Sequence, residues 1–475
     1  MDDQVTGISF AAILHLFIAI PICGHILLNK EQPSAAIAWI GVVTLSPFVG
    51  PALYWFFGIN RIQRRARRLH SRNTLRPRYP YPPAWESRTR PVPPEAQLFH
   101  LGEAIHAVPF VGGNTVMPLM NGDAAYPAML DAIARARHSI ALSSYIFDYD
   151  ATGERFVAAL TAAANRGVAV RVLLDDFGTW YSPRSIARAF KGTKVRTARF
   201  LSGRLRDLPF INLRNHRKIL VIDGQEGFIG GMNIRHGNAL AEKPASPVQD
   251  IHFRVQGPVL DQLNSVFEND WTFASGEAAL LPSWHGEILG TAHDAFARVI
   301  TNGPDEALDK LQLLLAGALA TCRTRVAIMT PYFLPNETLV SALSVAALRG
   351  VDVELILPEV SNIRPMGWAM QAVWGPLVMH GVRVTLTPPP FDHSKVLVVD
   401  GTWVLVGSTN WDQRSLRLNF EANLECYDGG LGTALEAYVA ARRATGRRVT
   451  REDVVSLSLP LQLRNSFFRL FASYL

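Results

Sequence analysis

Cysteine is scarce in this 475-residue chain. Cys23, Cys322 and Cys426 are all there are, far apart and in no spacing that fits a zinc site or a disulfide framework. They read as small buried hydrophobes and say little about redox compartment. No cluster of metal-ligating side chains stands out either. Asp175-Asp176 comes nearest, but it closes an apolar run and precedes Phe177-Gly178, the composition of a turn. No metal and no cofactor are therefore expected. Charge is missing from two long stretches, Ile8–Leu28 and Ala35–Gly58, which hold no Asp, Glu, Lys or Arg. Acid is missing from Ile59 to Arg78, where eight arginines (Arg61, Arg64, Arg65, Arg67, Arg68, Arg72, Arg76 and Arg78) stand unopposed. The whole chain carries +7, so everything outside that run is close to neutral. A nucleic-acid enzyme is expected to carry its positive field around its active site. Bulk charge therefore gives no support to a nucleic-acid partner.

A hydrocarbon core of about 30 Å takes about 20 helical residues, so each charge-free stretch is long enough to span one. A buried helical hairpin in a soluble core is the alternative. His15, Pro21 and His25 weaken the first stretch as a span, and Pro47 and Pro51 kink the second. A cleavable signal peptide fits poorly. The start, Met1-Asp2-Asp3, is acidic where a basic region belongs, and a second apolar stretch follows at once. Positive residues stay cytoplasmic, and the arginine run outweighs the single Lys30 of the intervening loop. The expected layout is a two-pass hairpin over residues 1–60, with both ends and the main body on the cytoplasmic side. The run also suits anionic headgroups. Residues 61–96, basic and then rich in proline from Pro77 to Pro94, read as an extended linker.

Beyond the linker the pattern alternates between helix-like and strand-like runs, and it does so twice. Ala128–Arg137, Ser139–Phe147, Arg155–Arg166 and Val168–Leu174 return in the same order as Leu313–Thr321, Arg325–Phe333, Glu337–Leu348 and Val351–Leu357. Arg166-Gly167-Val168 recurs as Arg349-Gly350-Val351, and the glycines suit helix C-caps. A repeat of this length occurring twice indicates two fused α/β domains, taken as 97–300 and 301–475.

Each copy carries the same chemical signature. The first reads Asn215-His216-Arg217-Lys218 through Asp223, then Gly230-Gly231-Met232-Asn233. The second reads His393-Ser394-Lys395 through Asp400, then Gly407-Ser408-Thr409-Asn410. One H-x-K-x4-D match is weak evidence; two, each followed by G-[GS]-x-N at the same spacing in a duplicated frame, are strong. Histidine and lysine two apart on a strand share a face, so imidazole and ammonium point into the same space.

These residues resemble the phospholipase D superfamily, and more closely the bacterial cardiolipin synthases. The likeness covers nearly the whole chain. It includes Trp39, Pro47, Gly50, Tyr54 and Gly58; Tyr145-Ile146-Phe147; Thr330-Pro331-Tyr332-Phe333; the segment from Asn410 to Ser415; Leu418-Asn419-Phe420-Glu421; and the ending Leu470–Leu475. Many relatives have W-R-D-x-H downstream of the first motif. Here Val248-Gln249 replace W-R while Asp250 and His252 remain. The resemblance implies two phospholipase D-like α/β domains forming one pseudosymmetric active site behind a transmembrane hairpin. It also implies placement in a bacterial inner membrane.

A phosphodiester repels a nucleophile, so its site needs cations and donors around the phosphoryl oxygens. Lys218 and Lys395 supply charge, and Asn233 and Asn410 supply amide donors. One neutral histidine attacks phosphorus while the other, protonated, donates to the departing alkoxide and later deprotonates the incoming alcohol. The resemblance implies His216 as nucleophile and His393 as general acid and base, an order that the pseudosymmetry leaves open. It further implies Asp250 and Glu421 as the carboxylates that orient the imidazoles, Glu421 being read with His393, the histidine of its own half. Asp223 and Asp400, though part of the catalytic motif, look like strand-end anchors.

The leading function is transfer of a phosphatidyl group between phospholipids, with phosphatidylglycerol as acceptor. A hydrolase using water and a catalytically silent lipid-binding scaffold are the alternatives. In the last helix Leu463, Phe467, Leu470, Phe471 and Tyr474 suit packing on the body, with membrane-surface contact as the alternative. Met366, Trp368, Met370 and Trp374 suit an acyl-chain entrance or plain burial equally.

Overall fold

The computed structural model describes residues 2–30, 33–58, 96–106, 108–175, 178, 186–200, 213–285, 295–303 and 309–472. The arginine run, the proline-rich linker, Asp176, Phe177 and the last three residues lie outside the described residues. The chain divides into two compact units, Met1–Ala66 and Arg67–Leu475.

In the first unit one long helix, Asp2–Asn29, contains a window, Ala12–Asn29, long and apolar enough to cross a membrane. The second apolar stretch is not one continuous helix. Its helix Pro33–Leu45 is 13 residues long, about 20 Å at 1.5 Å per residue, which is short of a bilayer core. The chain then reverses at Ser46–Phe48, with Phe48 in the left-handed region at φ 61°. The short helix Val49–Leu53 folds back so closely that a side chain at Gly50 would collide with the Val42 carbonyl. Tyr54 returns beside Trp39, ring centroids 5.3 Å apart, and its hydroxyl lies 2.9 Å from His25 Nδ1. Pro47 belongs to a reversal, not to a kink.

The second unit is built on one long mixed sheet. The first half contributes β1 (Val111–Met120), β2 (Ser139–Ser144), β3 (Ala169–Asp175), β4 (Arg196–Phe200), β5 (Ile219–Ile222), β6 (Glu226–Gly230) and β7 (Ile251–Gln256). The second contributes β8 (Ala295–Asn302), β9 (Arg325–Met329), β10 (Asp352–Pro358), β11 (Arg383–Thr387), β12 (Val396–Val399), β13 (Trp403–Gly407) and β14 (Asn419–Tyr427). The order across the sheet is β4-β3-β2-β5-β6-β7-β1-β8-β14-β13-β12-β9-β10-β11. Read outward from the central β1/β8 pair, the two halves run in the same order, and the second adds a two-residue edge strand, Arg447–Arg448, beside β11. That pair is antiparallel, with Val111 opposite Ala297. β8 straddles the expected 300/301 boundary and ties the halves into a single sheet.

Parallel neighbours need crossovers, and helices supply them: Ala151–Asn165 between β2 and β3, and Glu337–Leu348 between β9 and β10. Asp150 and Asn336 cap these helices by accepting from Gly153 N at 2.9 Å and Leu339 N at 3.1 Å. Gly167 and Gly350, at φ 96° and 92°, end them. β2 and β9 stop three or four residues earlier than their apolar patterns suggest. At those points the Ser144 and Thr330 hydroxyls donate to the carbonyls of Ile146 and Tyr332, at 2.8 and 3.0 Å, and turn the chain out of the sheet. β5 and β12 are buried at every position, which explains their unbroken apolar runs.

Candidate active site

The motif histidines and lysines precede the central strands: His216 and Lys218 enter β5, His393 and Lys395 enter β12. Two short ladders outside the main order decide what each histidine meets. Arg214–Asn215 pairs in parallel with Asn419–Phe420 at the start of β14, Asn215 opposite Phe420. Val248–Gln249 pairs in parallel with Phe391–Asp392, Gln249 opposite Asp392. One residue further along each ladder, His216 stands beside Glu421 and His393 beside Asp250. The backbone seals both registers, His216 N donating to Phe420 O at 2.9 Å and His393 N to Gln249 O at 2.7 Å.

The carboxylate pairing therefore crosses between the halves, which corrects the reading of Glu421 with His393. His216 Nδ1 lies 3.0 and 2.9 Å from the two oxygens of Glu421. His393 Nδ1 lies 2.9 Å from Asp250 Oδ2. Each imidazole is thus held at Nδ1 by a carboxylate of the opposite half, and a bond at one ring nitrogen fixes the role of the other. The replaced pair Val248-Gln249 sits in one of these ladders and takes part through its backbone.

Both lysines are buried and close to their histidines. Lys218 Nζ donates to His216 O at 2.6 Å and lies 5.3 Å from the Tyr145 ring centroid. Lys395 Nζ donates to His393 O at 2.5 Å and lies 3.0 and 3.2 Å from the two nitrogens of that ring. It also reaches the Asp250 side: a Cβ added at Gly231 would stand 3.1 Å from it and 3.0 Å from Asp250 Oδ1. Tyr145 meets the His216 ring edge-on at 4.9 Å.

Burial dominates the titration of this cluster. It lowers His216 to about 4, against the attraction of Glu421 and with help from Lys218 and Lys395. His393 is pushed well down by burial, then by Lys395, Lys218 and the His216 imidazole, so the two rings share one electrostatic environment. Burial lifts Asp250 to about 6 despite Lys395. Lys395 falls to about 8 through burial, opposed by Asp250 and Glu421. Burial alone would raise Glu421, but His216, Lys218 and the Ser408 hydroxyl outweigh it and hold it low as the anion.

Asn233 Oδ1 accepts from Ile146 N at 3.0 Å. Asn410 Nδ2 lies 3.2 Å from Ser415 Oγ. Asp223 and Asp400 serve elsewhere. Asp223 accepts from the backbone N–H groups of Arg137, His138 and Ser139 at 2.7 to 2.8 Å. Asp400 accepts from Arg323, Thr324 and Arg325 at 2.8 to 3.0 Å. Both sit in left-handed turns, at φ 52° and 50°, each followed by a glycine. They fasten the strand end to the start of β2 or β9. Asp175 accepts from Gly178 N at 3.3 Å and Asn215 N at 2.7 Å.

Two residues were not singled out by sequence for the parts they take. Ser408 donates to Glu421 Oε2 at 2.5 Å from the position that Gly231 holds in the first half. His252, buried beside Gly230, is lowered to about 4 by burial. The alignment of Gly231 with Ser408 was the available signal for the first. Met366 and Met370 lie in the core, 1 % and 2 % exposed, which settles them as packing.

Two His-x-Lys pairs converging across a duplicated α/β sheet define a phospholipase D-type site. A family model described as "Cardiolipin synthase, PLD-like domain" matches residues 129–271 and again 315–442, and one described as "Phospholipase D-nuclease N-terminal" matches 8–58. The chain is 32 % identical over 411 residues to a cardiolipin synthase of Geobacillus thermodenitrificans, covering 85 % of this chain and 81 % of the relative. It is 30 % identical over 460 residues to cardiolipin synthase A of Pseudomonas fluorescens, covering 93 % of each. A solved phosphatidylserine synthase from Haemophilus influenzae shares the fold, with TM-score 0.62 and 15 % identity, covering 80 % of this chain and all of that one. The chain belongs to the cardiolipin synthase family of the phospholipase D superfamily, and it is a phosphatidyltransferase.

Proposed function

We propose that this enzyme moves a phosphatidyl group from a donor phospholipid to the hydroxyl of phosphatidylglycerol through a covalent phosphohistidine on His216. The observation that carries the reading is the crossed pairing, which turns two distant motifs into one site with two oriented Nε2 atoms. Burial keeps His216 neutral at physiological pH, the state in which its Nε2 lone pair can attack phosphorus. As the P–N bond forms, the P–O bond to the donor's alcohol breaks. The departing alkoxide takes a proton from the His393–Asp250 pair. Binding of the anionic phosphodiester favours protonation of His393 beside the Asp250 carboxylate, and His393 supplies that proton. The acceptor alcohol then returns a proton to His393 and attacks phosphorus, and the P–N bond breaks. His216 is restored.

Lys218 and Lys395 are placed to neutralise the phosphoryl oxygens, whose added negative charge favours protonation of His393. Asn410 can take its part with the amide turned over, Oδ1 accepting from the Ser415 hydroxyl and Nδ2 facing inward. The supply of lipid fits the apolar Ala12–Asn29 helix, which supports membrane association. The eight arginines between Ile59 and Arg78 favour a cytoplasmic body.

The test is transfer in vesicles containing labelled phosphatidylglycerol, with phosphatidylethanolamine and CDP-diacylglycerol as alternative donors. His216→Ala and His393→Ala should each abolish product. Denaturing quench of the wild type during turnover should trap label on the protein in an acid-labile, alkali-stable linkage at His216. Label on His393 in the wild type would reverse the assignment, and unchanged lipid turnover in both variants would remove the enzymatic reading.

A further inference from the structure

The helix Leu459–Arg469 turns a polar residue inward and apolar residues outward. Asn465 is 2 % exposed and donates to Gln371 Oε1 at 3.0 Å on the neighbouring Arg364–Met379 helix. Phe468 packs on Trp368, ring centroids 5.0 Å apart, and the Arg464 guanidinium lies 4.7 Å over the same indole. These contacts dock the helix on the body. Of the stripe expected to do so, Tyr474 lies outside the described residues and the rest faces solvent instead. Leu463 is 62 % exposed, Phe467 54 % and Leu470 79 %, and Leu459, 66 % exposed, continues the stripe backwards. Their spacing of i, i+4, i+8 and i+11 is one face of an α-helix, about 17 Å long. Phe471, also exposed, extends it, meeting Phe467 edge-on at 5.3 Å. Scattered exposed hydrophobes are ordinary, but a contiguous large-residue stripe signals something that covers it.

Charge points to what that is. No Asp or Glu occurs from Val454 to Leu475, while Arg469 stands beside the stripe and Arg464, at its edge, is held by Trp368 and Asn465. Arg469 comes only to 3.7 Å of Glu337 in an exposed pair, which holds it weakly. We propose that this face lies in the headgroup–acyl boundary of a bilayer rich in anionic lipid, a second membrane attachment besides the N-terminal apolar helix. It rests on the reading that the substrates are membrane phospholipids. An amphipathic helix lying flat buries its apolar face at that depth, and arginines snorkel to the phosphates.

The full chain with Cys23→Ser and Leu463→Cys, labelled with an environment-sensitive nitrobenzoxadiazole, is reconstituted in vesicles of phosphatidylglycerol and phosphatidylethanolamine. Cys322 and Cys426 are buried and should not label. The label should emit in the blue-shifted range and be quenched by nitroxide-bearing lipids. Emission as in water overturns the proposal, and so does a blue shift without lipid quenching, since another protein surface would then cover the face. Leu463→Ser/Phe467→Ser/Leu470→Ser should transfer about tenfold less between long-chain lipids in vesicles, yet stay within twofold of wild type on a short-chain lipid dissolved as monomers. Equal loss on both substrates, or loss on neither, overturns it. Should the wild type show no transfer at all, the functional reading falls while the fluorescence result still stands.

Discussion

His216 Nδ1 sits 2.9 Å from Glu421 Oε2, a carboxylate 205 residues further along the chain and in the other half of the sheet. Glu421→Gln keeps the shape and removes the charge that orients and stabilises the imidazole. Loss of the corresponding charge in serine-protease triads costs about 10⁴-fold in turnover. Here kcat should fall at least about 100-fold with little change in KM, measured as initial transfer rate in vesicles. Asp250→Asn should do the same through His393. A loss confined to KM would show that these carboxylates bind substrate and do not position histidines.

Ser408→Ala removes the hydroxyl that donates to Glu421. A hydrogen bond to a charged group contributes about 1.5–3 kcal/mol, so Tm should fall by several degrees and kcat by about tenfold. Gly231→Ser, the reciprocal exchange, should be worse for activity. A side chain there would press on Asp250 and Lys395 at 3.0–3.1 Å from its Cβ alone. Assaying both variants against thermal melting separates the two effects.

Stability should also report the buried imidazoles. His216 and His252 are lowered to about 4 and His106 to about 3 from 6.5, all chiefly by burial. The unfolded chain therefore binds more protons between those values, so stability is full above about pH 6.5 and is lost as pH falls toward 4. Asp250, raised from 3.8 to about 6, works in the opposite direction and contributes most below pH 3.8. His393 is lowered as well, and Asp261, Asp392, Asp412 and Glu425 are raised by burial as Asp250 is. The imidazole contribution is a drop in Tm from pH 6.5 to 4, which these carboxyls oppose. His252→Asn should flatten that drop. An unchanged slope would place the pH sensitivity elsewhere.

Much of this site was legible because chemistry repeats where the fold repeats. His216, Lys218, His393 and Lys395 stood out through equal spacing in two copies, and so did the strands that carry them. The crossed carboxylates did not. The ladders that set them are two residues long, too short for periodicity, and join segments far apart in sequence. A sequence assigns Glu421 to the nearest histidine; only the ladder of Arg214–Asn215 on the start of β14 brings it beside the histidine of the other half. The reversal at Phe48 was hidden for a different reason. A bulky residue at positive φ carries no signal of its own, and an apolar stretch folded back on itself reads the same as a straight one. The last helix had an apolar stripe in plain view, yet amphipathic spacing alone does not say which face is turned to the body.

Lys395 offers a test at alkaline pH. Burial lowers it from 10.5 to about 8, so its charge starts to vanish within the range of an ordinary assay. If the cation neutralises phosphoryl oxygens, transfer should decline above about pH 8. Lys395→Arg, charged throughout, should be slower at pH 7 but lose no further activity up to pH 9.5. A parallel decline in both proteins would assign the alkaline limb to another group.

Asp400 and His393 belong to the same motif but should fail in different ways. Asp400 ties three backbone N–H groups and the Thr324 hydroxyl to the end of β12. Several N–H groups near the surface lose their acceptor in Asp400→Ala, at a cost of about 1–3 kcal/mol. Asp400 is held below its ordinary value because its bonds from Arg325, Thr324 and Arg323 outweigh burial, so its stabilisation is present above about pH 3.8 and lost as pH falls further. Tm at pH 7 should therefore drop by several degrees in Asp400→Ala, while kcat per folded molecule at 20 °C stays within about threefold of wild type. His393→Ala should show the reverse, a folded protein without turnover. If Asp400→Ala is inactive at full stability, the aspartates of both motifs take part in the chemistry, and the division between catalytic start and structural end of the motif is wrong.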